Sequence, residues 1–174
     1  MKATVDRRPA PTEHAPYYAG YIGLTPDGNL VKTLTAQIAD VEAVFRGMPA
    51  DRAGYAYAPG KWTLREQLGH LIDTERVFCY RATAFSRADP GQLPGFDQDA
   101  WTPLGRYNER DITSVLDEWI AVRRATVAFA AALPDEAWDR TGIASGFPFT
   151  VRAAMWIIPG HVNHHFAKIR EHYG

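Results

Sequence analysis

A single cysteine, Cys79, excludes an intramolecular disulfide and a thiolate zinc cage, so any bound metal would rest on imidazole and carboxylate. No apolar run approaches the ~18 residues of a membrane-spanning helix. The opening residues 1–16 carry charges and prolines where a signal peptide needs an apolar stretch, and the expected location is the cytoplasm. Nineteen basic residues against twenty acidic ones give a formal charge of -1, with no basic block. Nucleic acid and an anionic membrane surface are therefore not expected partners. There is no Gly-x-Ser-x-Gly elbow, P-loop, dinucleotide glycine fingerprint or pair of cysteines, which leaves a metal as the main available source of reactivity. Internal repeats, low-complexity tracts and sustained strand alternation are also missing.

What is present is helical periodicity in a chain 46% hydrophobic and long enough, at 174 residues, for one buried core. Residues 1–20, with Pro9, Pro11 and Pro16, read as an extended arm, and 21–174 as a single domain. Leu30, Leu34, Ile38, Val41 and Phe45 mark a first helix between the turn at 26–28 and Gly47. Thr63 and Glu66 form a capping box that opens a second helix running to about Arg87. Residues 88–108 hold three prolines and three glycines around one short helical turn at 97–101. So long a crossover would let the third helix run parallel to the second. That third helix covers 109–133 and ends at Pro134. Ser145-Gly146-Phe147-Pro148 breaks the chain, and Thr150 caps a fourth helix over 150–172, in which Pro159 predicts a kink and Gly160 a close helix approach. The expected class is all-α, a four-helix bundle.

His161 and His165 are four residues apart and share a face of the fourth helix, so both rings can grip one ion. His70, amid apolar residues of the second helix, would complete the three-protein-ligand set of a catalytic metal centre. The ordinary alternative is a set of unrelated polar histidines. His164 competes with His165 but points roughly 100° away from the Val162 and Ile169 side. Asp73 is a candidate fourth ligand, a partner for an imidazole, or a surface acid. Glu75 lies in the apolar stripe and needs a cation, Arg81 or Arg123. Cys79 reads as a buried, inert thiol. Three imidazoles suit zinc, nickel or iron, and the open position could activate water or hold a thiolate. Phe96, Trp101 and Tyr107 of the crossover either roof a pocket over the site or cover the bundle seam.

The runs Lys61-Trp62-Thr63-Leu64-Arg65-Glu66-Gln67-Leu68-Gly69-His70-Leu71-Ile72-Asp73-Thr74-Glu75-Arg76, Leu93-Pro94-Gly95-Phe96-Asp97-Gln98-Asp99-Ala100-Trp101 and Gly160-His161-Val162-Asn163-His164-His165 together resemble the DinB-like, or YfiT-like, superfamily of bacterial metalloproteins. The resemblance implies an up-down-down-up four-helix bundle, a divalent metal on His70, His161 and His165, and a homodimer. Its implied activities are, first, transfer or isomerisation with a low-molecular-weight thiol and, next, metal-dependent hydrolysis of a small molecule; the alternative of another class is a non-enzymatic metal-binding stress or scaffold protein.

Overall fold

The computed structural model describes residues 4–89 and 91–173; residues 1–3 of the expected arm, Pro90 of the crossover and Gly174 lie outside the described residues. Among the described residues seven α-helices follow in order: α1 Ala19–Leu24, α2 Leu30–Arg46, α3 Ala50–Ala53, α4 Leu64–Ser86, α5 Gln98–Leu104, α6 Ile112–Ala132 and α7 Val151–Tyr173. The four long ones, α2, α4, α6 and α7, form the bundle. Three of them begin at side chains that satisfy a free amide. Asn29 Oδ1 accepts from the Lys32 amide, Thr63 and Glu66 close the capping box, and Thr150 Oγ1 accepts from the Ala153 amide.

Side-chain pairings give the helix directions. Glu75 and Cys79 of α4 meet Arg123 and Thr126 of α6, rising together, so these helices are parallel. On α7, His161 and His165 meet His70 and Gln67 in reverse order, so α7 is antiparallel to α4. Arg46 and Gln37 of α2 meet Asp117 and Arg123 of α6, again in reverse. The topology is up-down-down-up, and the long crossover permits the parallel step.

The core has two apolar halves. Leu34, Phe78, Phe85 and Trp156 belong to one, and Phe45, Leu68, Trp119 and Phe166 to the other. Each such side chain contributes roughly 1.5–3 kcal/mol on burial. Between them lies a polar layer. Arg123 donates from Nε and Nη2 to the two Glu75 carboxylate oxygens at 2.8 Å each, and from Nη1 to Gln37 Oε1 at 2.6 Å. Gln37 Nε2 in turn donates to the Pro159 carbonyl and to Asn163 Oδ1, both at 2.9 Å. One network thus joins all four long helices, and Arg123 rather than Arg81 is the partner of Glu75. Helix α7 runs unbroken through Pro159.

The all-α expectation holds with one addition, and one other expectation needs correction. The fold is predominantly helical but carries a small sheet, β1 Gln92–Leu93, β2 Thr141–Ala144 and β3 Phe147–Thr150, with β1 parallel to β2 and β2 antiparallel to β3. The Ser145-Gly146 break is a two-residue hairpin turn with φ of +54° and +79°. The first twenty residues are also not an extended arm where described. They form 3-10 turns that open on Pro11 and Pro16 and fasten onto the bundle. Trp156 Nε1 donates to the Val5 carbonyl at 3.0 Å, Arg8 donates to the Thr25 carbonyl at 2.7 Å, and Glu13 pairs with buried Arg152. Among the described residues no helix is long and apolar enough to cross a membrane.

Candidate metal centre

The antiparallel packing of α4 on α7 brings the three predicted imidazoles together. His70 Nε2 lies 3.0 Å from His161 Nε2, and His165 Nε2 lies 3.1 Å from the same atom. Nitrogens bound at 2.0–2.1 Å around a tetrahedral zinc would be separated by roughly 3.3 Å; the two edges that meet at His161 are close to that value, and all three ligand atoms lie within 4.8 Å of one another. All three rings are buried. Burial holds His161 and His165 well below the ordinary imidazole pKa, and their histidine neighbours push the same way. Burial, helped by His164, lowers His70 to about 4. The rings are therefore neutral at pH 7, with lone pairs available for a metal.

Proton placement follows from Gln67. Its Oε1 can only accept, and His165 Nδ1 lies 2.6 Å away, so the His165 proton sits on Nδ1 and its Nε2 lone pair faces the centre. Trp62 lies against His70 with ring centroids 4.7 Å apart, and Tyr21 meets the His161 ring edge-on at 5.2 Å. Gln67 and Tyr21 are contributors that the sequence reading missed. Only Gln67 had a signal, its position one turn before His70 on the same helix face.

The other candidates are placed elsewhere. Asp73 accepts a 2.9 Å hydrogen bond from the Tyr107 hydroxyl and stands outside the imidazole group. Its carboxyl is raised by burial, against which the Tyr107 bond acts. His164 is half-buried against Tyr21 and also stands outside. Cys79 is held by Thr126 Oγ1 at 3.1 Å, with burial pushing its thiol up to about 11, which suits an inert role.

A cavity of about 340 Å³ reaches the group at His161 and is lined by Tyr17, Tyr21, Phe78, Arg81 and Phe96 among others. Phe96 is therefore the crossover aromatic that roofs the pocket. Tyr107 fills the seam beside Gly69, and Trp101 is 45% exposed.

The depressed imidazoles make stability pH-dependent without metal. Because the folded His70 titrates at about 4 and an unfolded histidine at about 6.5, the unfolded chain takes up the proton first as pH falls. Stability is intact above 6.5 and declines between about 6.5 and 4, by about 3 kcal/mol for His70 alone. Urea midpoints of chelator-treated protein across that window should fall, and a His70→Gln variant should fall less; equal slopes would contradict the assignment.

Several known proteins are similar to this chain. Two uncharacterized proteins from Mycobacterium tuberculosis strains are 32% identical over 115 residues, which cover 62% of this chain. This chain spans 43% of the length of those relatives. YfiT from Bacillus subtilis, described as a probable metal-dependent hydrolase with an unusual four-helix bundle topology, superposes with a TM-score of 0.69 at 19% identity, covering 95% of this chain and 91% of that one. That likeness establishes the fold. The family model of the DinB superfamily matches residues 33–169, a span that includes all three clustered histidines, and the chain belongs to the DinB superfamily.

Proposed function

We propose that His70, His161 and His165 hold a divalent metal ion, zinc or nickel ahead of iron, and that the protein is a metalloenzyme acting on a small molecule in the adjoining cavity. The observation that carries this reading is the triangle of Nε2 atoms, with its 3.0 and 3.1 Å edges, buried and neutral. Among the described residues no further histidine, cysteine or carboxylate joins the group. Three protein ligands with a position to spare are the pattern of a catalytic site rather than a closed structural one. Bound there, the ion would supply Lewis acidity to a small nucleophile. The chain's own part is to fix the His165 tautomer through Gln67, to hold His161 against Tyr21, and to shelter the reacting end under Phe96. Water is the nucleophile supported by the description of YfiT. A low-molecular-weight thiol is the second reading, which the cavity's volume of about 340 Å³ admits.

Elemental analysis of protein purified without added metal tests the site. The unaltered chain should carry close to one ion, and His161→Ala at least tenfold less with its helical spectrum intact. Equal metal content would refute the ligand set. Turnover of activated esters without thiol would support hydrolysis; turnover that requires a thiol would support transfer.

A further inference from the structure

Three arginines are almost completely buried, and they are not equivalent. Arg123 pairs with Glu75, and Arg152 with Glu13 and Asp139. Arg81, only 1% exposed, has no carboxylate within ion-pair distance among the described residues. Its Nη2 donates to the Pro94 carbonyl at 3.0 Å and to Ser145 Oγ at 2.9 Å. Its Nε and Nη1 are buried with no hydrogen-bond partner. The guanidinium lies over the rings of Phe78 and Phe149, at 5.0 and 6.0 Å from their centroids, and the side chain lines the cavity that ends at His161. A buried cation with idle donors is costly unless an anion reaches it. The cavity that the Arg81 side chain lines is where such an anion would approach the guanidinium.

We propose that Arg81 is the anion-binding end of the substrate cavity, so that the substrate is a small molecule with a carboxylate or phosphate group held by this guanidinium and its reacting end turned toward His161. The assignment of the reacting end rests on the metalloenzyme reading above; the anion site does not. His70, Thr74, Phe78 and Arg81 recur at steps of four, four and three, so they share one face of α4. Thr74, beside His70, and Arg81 are seven residues apart, which is roughly 10 Å along the helix. The long Arg81 side chain leans toward the N-terminal end of α4, the end that carries His70, and Arg81, Thr74 and His161 all line the one cavity. The hairpin holds the subsite rigid. Ser145, at a φ of +54°, presents the hydroxyl that fixes Nη2, while its amide donates to the Leu93 carbonyl at 3.0 Å.

The test uses the full chain after chelator treatment, so that no metal can bind the probe. Benzoate, phenyl phosphate and uncharged benzamide are titrated while thermal unfolding is followed. Benzoate or phenyl phosphate should raise the midpoint saturably, benzamide should not, and Arg81→Met should weaken the anion at least tenfold, with Arg81→Lys in between. A response to benzoate alone identifies a carboxylate, and to phenyl phosphate alone a phosphate ester. No response to either anion, or equal binding by Arg81→Met, overturns the proposal. Should Arg81→Met not fold, crystals of the unaltered protein grown with 4-bromobenzoate decide the matter. A bromine signal in the cavity with the carboxylate at Arg81 supports the site, and its absence there overturns it. Failure here leaves the metal content unchanged, and loss of metal leaves this binding unchanged, so the two readings fail separately.

Discussion

Glu75→Ala is expected to cost about 3–5 kcal/mol, the usual penalty for removing one partner of a buried ion pair. The reason is what remains behind. Arg123 is 0% exposed, and without Glu75 its Nε and Nη2 would be sealed in the core with no acceptor. Its guanidinium also lies 4.7 Å from the Trp119 ring centroid, an attraction to the ring face that does not replace the lost acceptors. Because the same layer reaches Gln37 and then the Pro159 carbonyl, the loss should spread to α2 and α7. Pro159 is two residues from His161, and Glu75 is five from His70, so the layer sets the register that makes the imidazoles meet. Urea titration should therefore show a large drop in midpoint, accompanied by weaker metal retention. Replacing both charges with apolar groups, as in Glu75→Leu with Arg123→Met, should recover most of the stability. A single-variant loss below about 1 kcal/mol would mean that the pair does not organise the core.

The parts of this fold that could be read in the chain are those governed by local chemistry. The Thr63–Glu66 box and the Thr150 cap sit where their spacing puts them, and α4 and α7 follow with apolar steps of three and four. The i, i+4 pair of His161 and His165 was legible for the same reason. His70 was legible as an isolated histidine amid apolar residues of another helix, able to complete the set; where it meets the pair depends on the register of α4 against α7, ninety-one residues apart in the chain, which no local spacing fixes. Strands β2 and β3 escaped notice because four-residue segments containing Gly142 and Pro148 show no alternation, and Ser145 adopts a positive φ without being glycine. The packing of residues 4–18 was hidden for a related reason. Its anchors, such as Val5 to Trp156 and Glu13 to Arg152, are long-range bonds that no local pattern announces. Asp73 looked available beside His70, but the Tyr107 hydroxyl, brought in by the crossover, takes it.

Gly160→Ala should reverse the usual sign of a glycine replacement in a helix. An alanine inside α7 would ordinarily stabilise by roughly 0.5–1 kcal/mol. Here a Cβ would stand 1.8 Å from the Tyr21 carbonyl oxygen and 2.5 Å from its carbon, backbone atoms that no rotamer change can move. Helix α1 packs against α7 at this point, and Thr25 Oγ1, which donates to the Trp156 carbonyl at 2.8 Å, would itself lie 2.8 Å from the new atom. The clash is relieved by moving α1 and α7 apart, at a cost of about 1–3 kcal/mol, occasionally more. That displacement should be visible at the metal centre, because α1 carries Tyr21 against His161 and follows directly on the 3-10 turn that sets Tyr17 along the cavity wall. Gly23→Ala on α1 is the control: nothing lies within 4 Å of its Cβ, so it should be neutral or slightly stabilising. Denaturation of the two variants, read beside binding of a chromophoric divalent ion such as cobalt, separates the outcomes. Gly160→Ala should lower the midpoint and alter the ligand-field spectrum while Gly23→Ala does neither; matching behaviour of the two would show that the close approach of α1 does not shape the site.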